Sequence, residues 1–177
     1  MSTETIVRRA QPQDAPGVAR VQVDCWHAAY ADILGAEILK DMNVTNRTAR
    51  WQSILNESAS QTWVALRNER QVAFISFGMA REPAADAGKT GEVWALYAHP
   101  DVWGQGVGRR LWLAGLDALR EAGCETAVIW VLEKNRRGRT FYESTGCILD
   151  GQKKSNPSLG AGVVSLCYRI DIAHSPE

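Results

Sequence analysis

His99-Pro100-Asp101-Val102-Trp103-Gly104-Gln105-Gly106-Val107-Gly108-Arg109-Arg110-Leu111 is the stretch that decides the fold. It follows an apolar strand-like run, Val93-Trp94-Ala95-Leu96-Tyr97-Ala98, and opens a helix-like run from Leu111 to Ala122. The order is strand, glycine turn, helix. A helix start carries N–H groups without partners at the positive end of its dipole, and glycines let a phosphate approach the backbone. The stretch therefore predicts a seat for a phosphate or pyrophosphate. A tight turn with no ligand has the same pattern. A dinucleotide fingerprint would need a glycine where Arg109 stands and would follow a first strand. A P-loop would end on Gly-Lys-Ser/Thr, which is absent.

Working outward, Ile6 to Arg9 predicts a first strand. Val18, Val21, Val23, Trp26 and Tyr30 have roughly helical spacing behind Gln13-Asp14, an N-cap candidate. Gly35 to Met42 and Thr45 to Glu57 predict two short helices. Strands at 62–66 and 72–77 flank Asn68-Glu69-Arg70, a hairpin turn. Arg81 to Gly91, rich in Ala, Pro and Gly, predicts a mobile loop. After the fourth strand, about Glu92 to Ala98, the helix beyond the glycine turn buries Leu111, Trp112, Gly115, Leu116, Leu119 and Ala122, and stops at Gly123. Val128 to Leu132 predicts a buried fifth strand, and Asn135 to Thr145 a helix ending at Gly146. Strands at 147–150 and 163–170 enclose a polar loop, Lys153 to Gly162. The expectation is α/β (α+β): one mixed sheet with helices on both faces, in a single domain over 1–177 with its core at about 5–171.

The 177 residues suffice for a real core. Twenty basic and twenty acidic side chains give a formal net charge of zero, which argues against a domain that grips nucleic acid or an acidic membrane. No apolar run has membrane-spanning length, and Met1 to Ala10 lacks a secretory segment. The four cysteines, Cys25, Cys124, Cys147 and Cys167, lack CxxC spacing. They predict buried free thiols in a reducing cytoplasm. His99 and His174 stand far apart, and no cluster of metal ligands is visible, so no metal is expected.

A second segment, Asn135-Arg136-Arg137-Gly138-Arg139-Thr140-Phe141-Tyr142-Glu143-Ser144-Thr145-Gly146-Cys147, gives the glycine turn its meaning. The two segments together resemble the GCN5-related N-acetyltransferase superfamily. Gly106 and Gly108 supply the glycines of that family's acyl-CoA loop. Asn135, Phe141, Tyr142 and Gly146 match its later helix. Val7-Arg8-Arg9-Ala10, Gln13-Asp14 and the Trp26–Tyr30 pair resemble its first strand and helix. The likeness is strong from about 92 to 147 and loose elsewhere. Three positions depart from it: Trp103 for Arg or Gln, Gly138 for Ala, which costs about 1 kcal/mol of helix propensity, and Cys147 for Phe.

The resemblance implies a mostly antiparallel sheet of about seven strands, a homodimer, and acetyl-CoA as acyl donor to a small-molecule amine. A protein or peptide acceptor, or a binding module without catalysis, is the alternative on the same fold. Backbone N–H groups of Gln105 to Arg109, with Gly104 in the turn, are expected to hold the pyrophosphate. Leu96, Tyr97 and Ala98 would run beside the pantetheine arm where the family splays two strands apart. The Leu96 N–H would face the thioester oxygen, and Asn135 would contact the arm.

Tyr142 is the candidate general acid, because a phenol with an unperturbed pKa of about 10 is protonated at neutral pH. Its rival reading is a half-buried helix aromatic. Glu92, fourteen positions before Gly106, is the candidate base through water; its rival is an exposed strand-end carboxylate. Trp26, His27, Tyr30 and Trp94 are expected to line the acceptor mouth, with core packing as the bland account. Asp24, Asp32, Glu37 and Asp41 offer charge to a cationic amine. Arg136, Arg137 and Arg139 meet the 3′-phosphate of CoA or form a solvated face. Cys25 and His27 point too far apart on a helix to act as a nucleophile pair.

Overall fold

A computed structural model describes residues 4–57, 61–81 and 89–173. Seven strands form one sheet in the order β1-β2-β3-β4-β5-β7-β6. They are β1 (Ile6–Arg9), β2 (Gln61–Arg67), β3 (Arg70–Met79), β4 (Thr90–Ala98), β5 (Thr126–Leu132), β6 (Ile148–Ser155) and β7 (Val164–Asp171). Every pairing is antiparallel except β4 with β5. The helices are α1 (Ala15–Tyr30), α2 (Ala36–Asp41), α3 (Val44–Asn56), α4 (Val107–Glu121) and α5 (Arg136–Ser144). The one parallel pair exists because α4 carries the chain across the sheet between β4 and β5, the connection a parallel neighbour needs.

Side chains alternate along each strand, so two cores form on opposite faces. Ala73, Ile75 and Phe77 of β3 pack with Leu111, Trp112 and Leu116 of α4. Between them Phe74 turns the other way, against Val18, Val21 and Trp51 of α1 and α3. Trp51 sets its ring edge-on to Phe74 with centroids 4.9 Å apart and donates to Gln22 Oε1 at 2.8 Å. Asp14 knots this side together. It accepts from both terminal nitrogens of Arg8 (2.7 and 2.9 Å), from the Gln11 N–H and from Gln71. It thereby ties β1 and β3 to the entry of α1.

The expected elements are present, with shifted edges. The 68–70 hairpin is a two-residue turn: Asn68 and Glu69 both have positive φ, 48° and 62°. That is the geometry whose twist matches a right-handed strand pair. The polar segment beginning at Lys153 is corrected: its first three residues extend β6 and pair with Val164 to Leu166 of β7. The strand is irregular, with a register shift between Leu149 and Lys153 around Gly151, so its polar residues hid it. Most of the 81–91 loop, and His174, lie outside the described residues. Thr90 and Gly91 begin β4. No described helix is long and apolar enough to cross a membrane.

Candidate active site

β4 and β5 part company halfway. Their pairing runs from Thr90 with Thr126 to Val93 with Ile129 and ends there. On the other side of β4, Ser76 faces Ala95 while Phe77 faces Val93, so Trp94 is an extra, bulged residue. A bulge bends its strand and increases the local twist. From Trp94 onward the β5-facing edge of β4 has no strand beside it. The gap is a cavity of about 790 Å³, walled by β4 and β5 and closed by α1, α5 and the glycine turn.

The turn delivers the start of α4 to one end of this cavity. Gly104 and Gly106 have φ of 73° and 77°, a conformation costly for residues with a Cβ, and Gly106 is the N-cap. Val107, Gly108 and Arg109 form the first helical turn and line the cavity, with N–H groups that a helix leaves unpaired. Gln105 differs from expectation. Its N–H is taken up by the Val102 carbonyl at 3.3 Å, and its side chain bonds Arg67 and the Asp101 carbonyl. The tight turn needs that bond, so the donor set starts after it.

Trp103 gains a role that its sequence position did not reveal. Its indole donates to the Ala98 carbonyl at 2.6 Å, locking the turn onto the end of β4. The Arg137 guanidinium lies over its ring, 3.9 Å from the centroid. Arg109, Arg136 and Arg137 all line this end. Arg139 does not: it donates to the Tyr168 hydroxyl at 3.0 Å and to the Glu133 carbonyl. Asn135 caps α5, accepting from the Gly138 N–H at 3.0 Å. A Cβ on Gly138 would come within 2.6 Å of the Asn135 amide nitrogen, which accounts for glycine inside this helix.

Tyr142 stands in the cavity wall, 6% exposed. Its ring packs edge-on against Trp112 and Phe141, at 5.2 and 5.1 Å. Burial, reinforced by the nearby Tyr97 hydroxyl and Cys147 thiol, pushes its phenol well above the usual tyrosine range. Tyr97 turns its side chain to the α1 face, where its hydroxyl accepts from the Trp26 indole at 3.0 Å. Cys25 donates to the Ala98 carbonyl at 3.0 Å, and burial pushes its thiol up to about 12. All four cysteines are free and buried.

The far end of the cavity is aromatic. Trp26, Tyr30, Trp94 and Trp130 line the cavity. In sequence Trp130 was indistinguishable from the apolar run around it. His27 is a correction: one residue past Trp26 it turns outward, exposed, with Nε2 3.2 Å from the Met42 carbonyl. Glu92 is buried rather than exposed, and its carboxylate is held by Arg81. The Arg81 N–H reaches Oε2 at 3.0 Å, and Nη2 reaches Oε1 at 2.7 Å. None of Asp24, Asp32, Glu37 and Asp41 lines the cavity. Asp24 instead pairs with His99 Nε2 at 3.2 Å. No cluster of three or more metal-ligating side chains occurs among the described residues.

A parted strand pair, a glycine turn and a tyrosine-bearing helix frame one cavity. Residues 23–147 match the model of the Acetyltransferase (GNAT) family. The uncharacterized N-acetyltransferase YuaI of Bacillus subtilis is 32% identical over 130 residues, covering 73% of this chain and 72% of its own. The PaiA N-acetyltransferase of Thermoplasma acidophilum, solved with coenzyme A, superposes with a TM-score of 0.72 at 18% identity, over 95% of this chain and 99% of its own. YncA of Salmonella typhimurium, a putative acetyltransferase solved with acetyl-CoA, does so at 0.70 and 19%, over 98% and 96%. With the family model spanning both the turn and the α5 segment, and the fold matching throughout, this chain belongs to the GNAT family of acetyltransferases.

Proposed function

We propose that the chain moves the acetyl group of acetyl-CoA to the primary amine of a small molecule, with both bound together in the cleft. The observation that carries this is the parting of β4 and β5 after Val93 and Ile129. It opens one continuous cavity from the first turn of α4 to the Trp26, Tyr30 and Trp94 wall. One end has the chemistry for phosphates, the other for an apolar acceptor.

The residues present fit coenzyme A. Val107, Gly108 and Arg109 N–H groups and the Arg109, Arg136 and Arg137 cations match a pyrophosphate and a 3′-phosphate. The open edge of Leu96 to Ala98 matches the amides of the pantetheine arm, and Asn135 faces the same space. The thioester supplies an activated acetyl group when bound. Leu96 supplies a backbone N–H for the carbonyl oxygen as charge builds there. Tyr142 holds a proton for the sulfur that leaves; its burial keeps it protonated over the whole working range. Glu92 takes the amine's proton through water, since its carboxylate stops short of the cavity wall. No metal enters this scheme.

Thiol release from acetyl-CoA across polyamines, aminoglycosides, amino acids and short peptides tests the reading, with calorimetry of coenzyme A alongside. Release with small amines supports it. Release with peptides only moves the activity to a protein acceptor. Tight coenzyme A binding with no release for any amine makes the chain a binding module.

A further inference from the structure

The gap between β4 and β5 opens on both sides of the sheet, and the two sides differ in charge. On β5, Ile129 and Val131 turn to the core shared with α4 and Tyr142 of α5. Leu132 turns the other way, to Tyr30 of α1 and to Leu34 and Leu39. Alternation along the strand puts Trp130 on the Leu132 side. The first side receives the starts of α4 and α5, which bring Arg109, Arg136 and Arg137 into the cavity lining. The second side is lined by Trp26, Ala29, Tyr30, Trp130, Leu132 and Leu159, none of them charged. Among the described residues, no carboxylate lines the cavity on either side.

The polar atoms that α1 brings to the second side are occupied. The Trp26 indole donates to the Tyr97 hydroxyl at 3.0 Å, and the Tyr30 hydroxyl lies beside that same oxygen. The Trp26 and Tyr30 rings meet edge to face with centroids 5.2 Å apart. Their surface toward the gap is aromatic. A cation adds to the bias: Lys154 lies over the Trp130 ring at 4.2 Å. Between the two sides runs the open edge of β4. The His99 N–H donates to the Val72 carbonyl at 2.8 Å, and Ala73 faces Ala98. Antiparallel strands exchange these bonds at every second residue, so Leu96 and Ala98 turn their N–H groups away from β3 and into the gap. A thioester held by the Leu96 N–H lies in the plane of the sheet. Its phosphates come from the arginine side, so the amine comes from the aromatic one.

We infer that the acceptor is an amine on an aromatic or long aliphatic body, received by Trp26, Tyr30, Trp130 and Leu159, and that a second cationic group on it is rejected, so that polyamines and aminoglycosides are not the substrate class. This rests on the acetyl-transfer reading above. A second ammonium on that wall has no counter-charge among the described residues. A buried cation without a partner gives up its proton instead. At pH 8, against an ordinary alkylammonium pKa of about 10.4, only about one such group in 250 is neutral.

Hexylamine and cadaverine test this as a matched pair. They have the same length, and the second ammonium of cadaverine stands where hexylamine has a methyl group. Thiol release from acetyl-CoA is measured with both, and with phenethylamine against spermidine. The wild-type kcat/KM at pH 8 is expected to be about tenfold or more higher for hexylamine, and for phenethylamine over spermidine, with the hexylamine advantage shrinking as pH rises toward about 10. Ala29→Glu and Leu159→Glu each place a carboxylate on the aromatic side, and each is expected to move the ratio toward cadaverine. Damage to folding or to coenzyme A binding slows both amines alike and leaves the ratio intact. A wild-type preference for cadaverine, spermidine or peptides overturns the inference alone, as does a ratio that both variants leave unchanged. Absence of release with every amine overturns the acetyl-transfer reading, and this one with it.

Discussion

At the scale of single residues, Tyr142 and Glu92 have opposite surroundings. Tyr142 is packed among aromatic rings, so its phenol is raised and remains a proton donor. Tyr142→Phe keeps the packing and deletes only the hydroxyl. We expect turnover to fall about a hundredfold, with acetyl-CoA affinity by calorimetry unchanged; undiminished turnover would remove Tyr142 from the acid role. Because the shift is upward, the wild-type rate has no Tyr142 limb below about pH 10. Glu92→Gln is expected to lower turnover with acetyl-CoA affinity by calorimetry unchanged; undiminished turnover assigns the amine's proton to solvent. That Tyr142 faces the cavity was legible only by resemblance, from Asn135 and Gly146 at family spacing. The Arg81–Glu92 ion pair was not, since Arg81 stands at the edge of a segment rich in alanine, proline and glycine, with nothing to mark its partner eleven residues on. Nor was Trp103 legible as an anchor, because its bond is to a backbone carbonyl, and sequence does not display those.

At the scale of elements, the strand-turn-helix from Thr90 to Glu121 was readable because each part carries a local signal: an apolar run, alternating glycines, then helical spacing. The parting of β4 from β5 was available only by resemblance, since a bulge depends on how two strands register and not on either alone. β6 failed the reading for a related reason. It is an edge strand broken around Gly151, so its apolar alternation is weak. The β2–β3 hairpin carries a testable imperfection. Glu69 adopts a left-handed conformation at φ 62°, which costs a residue with a Cβ roughly 1–2 kcal/mol. Glu69→Gly relieves it while adding the freedom of glycine to the unfolded chain, about 0.5–1 kcal/mol in opposition. The net expectation is a stabilisation of about 0.5–1 kcal/mol in denaturant melts. A loss of stability would show that Glu69 is held by something other than the turn.

For the whole molecule, the Arg8–Asp14–Gln71 knot sets the response to acid. Arg8 donates to a carboxylate whose side chain is 3% exposed, and this bond above all holds Asp14 below the usual carboxylate range. A depressed folded pKa adds stability above the ordinary aspartate value of about 4, and that stability is lost as pH falls through the folded value. Asp14→Asn is expected to cost about 2–3 kcal/mol at pH 7, as charged hydrogen bonds do. In urea melts from pH 7 downward, the gap between mutant and wild type should close below pH 4; a gap independent of pH would mean that shape, not charge, is what Asp14 contributes.

The four cysteines have a practical bearing on every measurement proposed above. Burial raises the thiols of Cys25 and Cys167 to about 12 and that of Cys147 to about 11, and it raises Cys124 as well. A thiol reagent reacts with thiolate, and at pH 8 Cys25, Cys147 and Cys167 offer almost none, while Cys124 is only 2% exposed. Colour developed by such a reagent over the folded enzyme therefore counts coenzyme A released, with the protein itself silent until it unfolds.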